Sequence, residues 1–153
     1  MEKPTIYIGS DHGGFQQKEQ LSKWLFELGY SVEDYGPHEL DPTDDYPEYA
    51  IAVAEAVVMA DAPVIGVITC RSAGGVTIAA NKVIGARAVA IFDEKSAVHA
   101  KEHNNANIVT ISGDWLSDQE AQVTLQVFLE TKFTQKQRHV RRLAQISEYE
   151  SSR

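Results

Sequence analysis

The sequence predicts a three-layer α/β domain: a doubly wound, Rossmann-like sheet of five parallel strands with helices on both faces. Three observations carry that expectation. Short apolar runs alternate with amphipathic helical stretches along the chain, the pattern of a parallel sheet joined by right-handed crossovers. The run Pro63–Cys70 is continuously apolar rather than alternating, as in a strand buried on both faces. The connections are short, and the 153 residues suffice for one core but not two. Residues 1–153 are therefore read as a single domain.

Each element has its own signal. Thr5–Gly9 is a short apolar strand that empties into Ser10-Asp11-His12-Gly13-Gly14. A helix follows, with Leu21, Trp24, Leu25 and Leu28 on one face and Gly29 as its stop. Ser31–Tyr35 reads as the second strand, broken by Gly36-Pro37, and a polar, acidic loop runs on to Asp45. Pro47 opens a helix that places Ala50, Val53, Ala54, Val57 and Val58 together. The third strand ends at Cys70, and a small-residue loop leads into a helix over Val76–Lys82. Gly85 precedes the fourth strand, Arg87–Phe92, and Asp93 caps a helix to about His103. Asn107–Ile111 is the fifth strand. Ser117-Asp-Gln-Glu120 is a capping box for a helix lined by Ala121, Leu125, Phe128 and Leu129. Beyond Phe133 a final helix carries Val140, Leu143 and Ala144, and it comes too late to complete this core. That C-terminal helix is expected to reach towards a second subunit.

Composition narrows the function classes. A formal charge of −8 argues against nucleic acid or an anionic membrane as a partner. No apolar stretch approaches the roughly 20 residues that span a bilayer, and the first strand begins too early for a signal peptide. One cysteine excludes an intrachain disulfide, which makes a reducing cytoplasm the expected compartment. One segment runs against the overall charge, Lys136-Gln-Arg138-His139-Val-Arg141-Arg142. It reads either as a solvated helix face or as a pocket for a small anion.

Ligands of open α/β sheets bind beyond the carboxyl ends of the strands, where strand order reverses. Three segments are expected there: Ser10–Gly14, Cys70–Gly75, and the region of His103-Asn104. Together they offer a carboxylate, imidazoles, a thiol, a hydroxyl, an amide and open backbone donors. That set suits proton transfer and the holding of an oxyanion. Each member also has a plainer reading. Free cysteine is commonly a small buried hydrophobe, Asp11 a helix cap and Ser72 a turn residue. The glycine loop lacks the Gly-Lys-Ser/Thr ending of a Walker motif and is not Gly-x-Gly-x-x-Gly, so nucleotide binding finds little support. His99-Ala-Lys-Glu102-His103 matches the His-x-x-Glu-His pattern of certain zinc proteases. No third ligand stands near it, and no metal is expected.

Five segments taken together, in order and over nearly the whole chain, resemble type B ribose-5-phosphate isomerases. They are Gly9-Ser-Asp-His-Gly-Gly-Phe15, Asp45-Tyr-Pro47, Ile78-Ala-Ala-Asn-Lys82, Glu102-His-Asn104 and Arg138-His-x-x-Arg142. Galactose-6-phosphate isomerase subunits share the pattern. The resemblance implies an aldose–ketose isomerase of the pentose phosphate pathway that needs neither metal nor cofactor. It further implies a homodimer or homotetramer with active sites between subunits. Cys70 would shuttle a proton between C1 and C2 through an enediolate, and Ser72 with the backbone of Arg71, Ala73, Gly74 and Gly75 would hold the negative oxygen. His103 would open the sugar ring, with Asp11 orienting it or a hydroxyl. Tyr46 and Asn104 would contact the sugar, His12, Arg138 and Arg142 would hold its phosphate, and His139 would belong to the substrate-binding set. A helix N-terminus and nearby cations would draw the Cys70 thiol down from its ordinary pKa of about 8.5.

Two positions depart from the family pattern. The loop Cys70-Arg-Ser-Ala-Gly-Gly75 has arginine where the family has glycine, and Asp114 stands where the family commonly has a phosphate-binding arginine. Arg71 is the expected replacement for the missing cation. A six-carbon sugar phosphate (allose or galactose 6-phosphate) is the alternative substrate. A non-catalytic sugar-phosphate-binding module is the alternative class.

Overall fold

A computed structural model describes residues 2–153. Its sheet contains β1 (Thr5–Ser10), β2 (Val32–Asp34), β3 (Val64–Cys70), β4 (Ala88–Ile91) and β5 (Ile108–Ser112). All pairings are parallel, in the order β2-β1-β3-β5-β4. The helices are α1 (Phe15–Glu27), α2 (Tyr46–Met59), α3 (Gly74–Ala80), α4 (Glu94–Glu102), α5 (Asp118–Glu130) and α6 (Gln137–Ser151). No helix is long and apolar enough to cross a membrane among the described residues.

Side chains of each strand alternate between the faces, and two apolar layers result. On one face Ile6, Ile8, Val67, Val109 and Ile111 meet Leu21 and Leu25 of α1, Ala97 and Ala100 of α4, and Leu125 and Phe128 of α5. On the other, Ile68, Cys70, Ala88 and Ile108 pack under α2 and α3 through Val53, Ala54, Val57, Val76 and Ala80. Burying one such Leu or Ile side chain stabilises the fold by about 1.5–3 kcal/mol. The caps expected at Asp93 and Ser117 form as complete capping boxes. Gly29, with φ of +83°, ends α1 in the left-handed region.

Most boundaries move by one or two residues from the sequence reading. Strand β2 is shorter than Ser31–Tyr35. Helix α3 begins at Gly74, before the apolar run, because Ala73 at φ +66° turns the chain into it. Lys18, with no exposed surface, runs under α1 to Asp34 Oδ2 (2.6 Å) and the Pro37 carbonyl (2.7 Å). This buried ammonium ties the second strand and the loop after it to the first helix.

Helix α6 lies against its own chain along the β4 edge. His139 is buried, Leu143 and Ile146 line a cleft with Ala86–Val89, and Glu150 accepts from the Gly85 N–H at 3.3 Å.

Candidate active site

Strand order reverses at β1 and β3, whose carboxyl ends stand side by side in register. The segment after β1 folds as a single 3-10 turn, His12–Gly14, because Asp11 Oδ1 accepts from the Gly14 N–H at 3.1 Å. Gly14 presses on the end of β3: a Cβ there would lie 2.3 Å from the Thr69 carbonyl. The Thr69 hydroxyl returns a bond to the Gly14 carbonyl at 2.7 Å. This close contact brings Asp11 and Cys70 together, with Sγ donating to Asp11 Oδ2 at 3.5 Å. Asp11 is thus both the cap of the plainer reading and the neighbour of the thiol.

The loop after Cys70 is held from β5. The Gly113 N–H donates to the Cys70 carbonyl at 2.8 Å, the Asp114 N–H to the Arg71 carbonyl at 3.0 Å, and the Ser112 hydroxyl to that same Arg71 oxygen. So fixed, the backbone N–H groups of Ser72, Ala73 and Arg71 face the sulfur and favour its thiolate. Burial and the Asp11 charge outweigh them, and the thiol pKa is pushed up rather than down towards neutrality. The expected lowering fails because no cation faces the sulfur at this distance, whereas a carboxylate does. Ser72 is exposed at the loop tip, and the Tyr46 ring roofs Gly75 so closely that a Cβ there would lie 2.6 Å from its Cζ.

His12 and Arg71 flank the loop. His12 donates its backbone N–H to Asp44 Oδ1 at 3.0 Å, and its Nδ1 lies 2.6 Å from the same oxygen. That hydrogen bond holds the imidazole pKa above its ordinary value. The Arg71 stem lies on Gly13, and its Nε stands 3.6 Å from Asp114 Oδ1. Beyond them opens a cleft of about 550 Å³ lined by His12, Gln16, Gln17, Arg71, Asp114 and Ser117, among others.

One chain therefore assembles Asp11, His12, Tyr46, Cys70, Arg71, Ser72, Ala73, Gly74 and Gly75. It does not bring His103, Asn104, Arg138, His139 or Arg142 to them. The expectation that His103-Asn104 lies at the carboxyl ends of the strands is corrected. A crossover helix starts beyond one strand's carboxyl end and returns to the amino end of the next, so the last residues of α4 lie below the sheet. Lys101 accordingly lines a cavity with Pro4, Pro63, Val64 and Ile65, where β1 and β3 begin. Arg138 and Arg142 are exposed on α6. His139 packs its ring against His103 instead of facing solvent. His99 and His103 stack face to face at 4.5 Å, and no group of three or more metal-binding side chains occurs among the described residues.

Asp44, Ser112 and Gly113 were not singled out by the sequence reading. Asp44 is one of several acids in a polar loop, Gly113 acts through its backbone N–H and Ser112 through a hydroxyl bond to the Arg71 backbone, so neither of these two carries a motif.

A buried thiol beside a carboxylate and an amide cradle, at the switch point of a parallel sheet, mark an α/β enzyme of small polar ligands. The comparisons narrow the class. Residues 6–146 match the ribose/galactose isomerase family, and the chain belongs to it. A ribose-5-phosphate isomerase B from Mycolicibacterium paratuberculosis is 39% identical over 145 residues, covering 95% of this chain and 91% of that one. The structure of ribose-5-phosphate isomerase B from Mycoplasma genitalium with bound ribulose-5-phosphate is 35% identical, with a TM-score of 0.94 and full coverage of both chains. The Clostridium thermocellum enzyme gives 0.92 at 35% identity, covering 97% of this chain and 98% of that one.

Proposed function

We propose that the protein interconverts ribose 5-phosphate and ribulose 5-phosphate, acting through residues 1–153 as one domain in the cytoplasm. The observation that carries this reading is the Cys70 sulfur lying between a carboxylate and three backbone N–H groups in a chain of this family.

In the resting site the thiol is protonated and donates to Asp11. Substrate binding shuts out water, and Asp11 takes the thiol proton. The thiolate then removes the C2 proton of the open-chain aldose. The electron pair moves into a C1–C2 double bond, and the carbonyl oxygen at C1 becomes an enediolate oxygen facing the loop N–H groups and Ser72. The thiol returns its proton to C1 while the C2 hydroxyl proton passes to the C1 oxygen, which gives the ketose, and Asp11 hands its proton back to the sulfur. No metal or cofactor is assigned a step.

His103 protonates the ring oxygen, Asn104 contacts the sugar, and Arg138 and Arg142 pair with its phosphate. All four come from a partner copy in a homodimer or homotetramer, since topology places them away from Cys70 in their own chain. His12 and Arg71 complete the phosphate site.

The test is turnover of ribose 5-phosphate by wild type and Cys70→Ala, beside galactose and allose 6-phosphates. Loss of at least a thousandfold in kcat on the pentose is expected. Full activity of the alanine variant would overturn the role of the thiol, and turnover confined to a six-carbon sugar would overturn the pentose. Deuterium incorporation at C2 separates an isomerase from a binding module, which exchanges nothing.

A further inference from the structure

His103 is the middle ring of a column. His99, one turn earlier on α4, stacks on one face with centroids 4.5 Å apart and planes at 26°. His139 of α6 stacks on the other at 4.6 Å and 14°. With both faces covered by imidazole, only the ring edge remains open, and that edge carries both nitrogens. The column is anchored on the α6 side, because Thr134, just before that helix, donates its hydroxyl to the Glu102 carbonyl at 3.0 Å.

His139 is 6% exposed, and its Nε2 is buried with no hydrogen-bond partner among the described residues. Burial pushes its pKa down, reinforced by Arg138, His103, Arg142 and Lys136, so it stands neutral in the column. Burying an unpartnered nitrogen is unfavourable, and core packing alone would favour an apolar ring. A flat, neutral ring parallel to His103 is what the arrangement supplies.

We propose that His99 and His139 are positioning residues. They fix the plane of the His103 imidazole by stacking on both faces, and they aim its nitrogen-bearing edge at the ring oxygen of a cyclic sugar phosphate. The inference rests on the ring-opening role of His103 given above. Proton transfer demands hydrogen-bond reach and alignment, and a histidine at a helix terminus is otherwise free to turn about its side-chain bonds.

The test separates ring opening from proton transfer at carbon. Ribose 5-phosphate is largely a furanose, whereas ribulose 5-phosphate, its O5 phosphorylated, has no five-membered ring to open. Exchange of the ribulose 5-phosphate C1 proton with deuterium from solvent therefore needs the thiol and not His103. His99→Ala, at an exposed position, and His139→Ala are expected to lower kcat/KM on ribose 5-phosphate at least tenfold. Both should leave C1 exchange within twofold of wild type. His139→Phe, which keeps a flat ring, should recover most of the loss. Equal falls in turnover and exchange, or no fall in either, would overturn the inference. His103→Gln is the control: a selective loss there without one in the stacking variants sinks only the positioning role. Absence of selective loss in His103→Gln sinks the assignment of His103 itself.

Discussion

Asp11→Asn is expected to make the Cys70 thiol more acidic and more reactive. The carboxylate oxygen lies 3.5 Å from the sulfur. At an effective dielectric near 20, two unit negative charges at that separation repel by about 5 kcal/mol, a ceiling on what the substitution removes. A third of that ceiling is about 1.5 kcal/mol, a tenfold gain in thiolate fraction at pH 7. Asparagine keeps an oxygen to accept from the Gly14 N–H, so the 3-10 turn survives, and its amide donates to the sulfur. The assay is the rate of iodoacetamide alkylation between pH 6 and 10. A single cysteine means that one thiol reports, and the ratio of variant to wild type cancels its limited access. A tenfold faster rate at pH 7 and a midpoint displaced towards acid are expected. Turnover of ribose 5-phosphate should fall, because the thiol proton loses its acceptor. An unchanged alkylation profile, or one displaced towards alkali, would refute the account of how burial and Asp11 together raise this pKa.

Three further outcomes follow from the geometry. Arg71→Gly should raise KM for ribose 5-phosphate about tenfold, the effect of one charge-assisted hydrogen bond. Asp114→Asn, which frees the guanidinium from an exposed pair, should lower it a few-fold, and unchanged steady-state KM values would remove Arg71 from the phosphate site. The folded-state pKa of His12 is raised by Asp44, so the pair's contribution to stability is full below the ordinary histidine pKa. It is lost as pH rises through the raised value. Melting temperature between pH 5 and 9 should therefore drop on the alkaline side in wild type and lose that component in Asp44→Asn. Gly14→Ala forces a methyl into the Thr69 backbone, whereas Gly75→Ala meets a movable Tyr46 ring. Urea denaturation should show the first variant destabilised by several kcal/mol (about 3 or more) and the second by much less, with its loss confined to KM and kcat.

The sheet was legible because each strand carries an uninterrupted apolar run or a glycine stop. Cys70 and Asp11 were legible because they stand where such runs end. The vertical position of His103 was not. A motif on a crossover helix gives no hint of which end of the sheet it will occupy until the helix direction is followed from Asp93 to its C-terminus. The direction of the Cys70 pKa was equally hidden, since it turns on 3.5 Å between Asp11 and a residue 59 positions away. Asp44 escaped notice because the loop holds Asp41, Asp44 and Asp45, and only folding selects the one that meets His12.

The imidazole column and the thiol sit at opposite poles of one sheet, and no flexing of a packed β-α-β unit brings them together. If both serve one reaction, an isolated polypeptide is inert, and specific activity must decline once dilution drives the copies apart. Two dead variants, one missing the sulfur and the other the central imidazole, would then revive each other when refolded as a mixture, because one pole from each would still be intact.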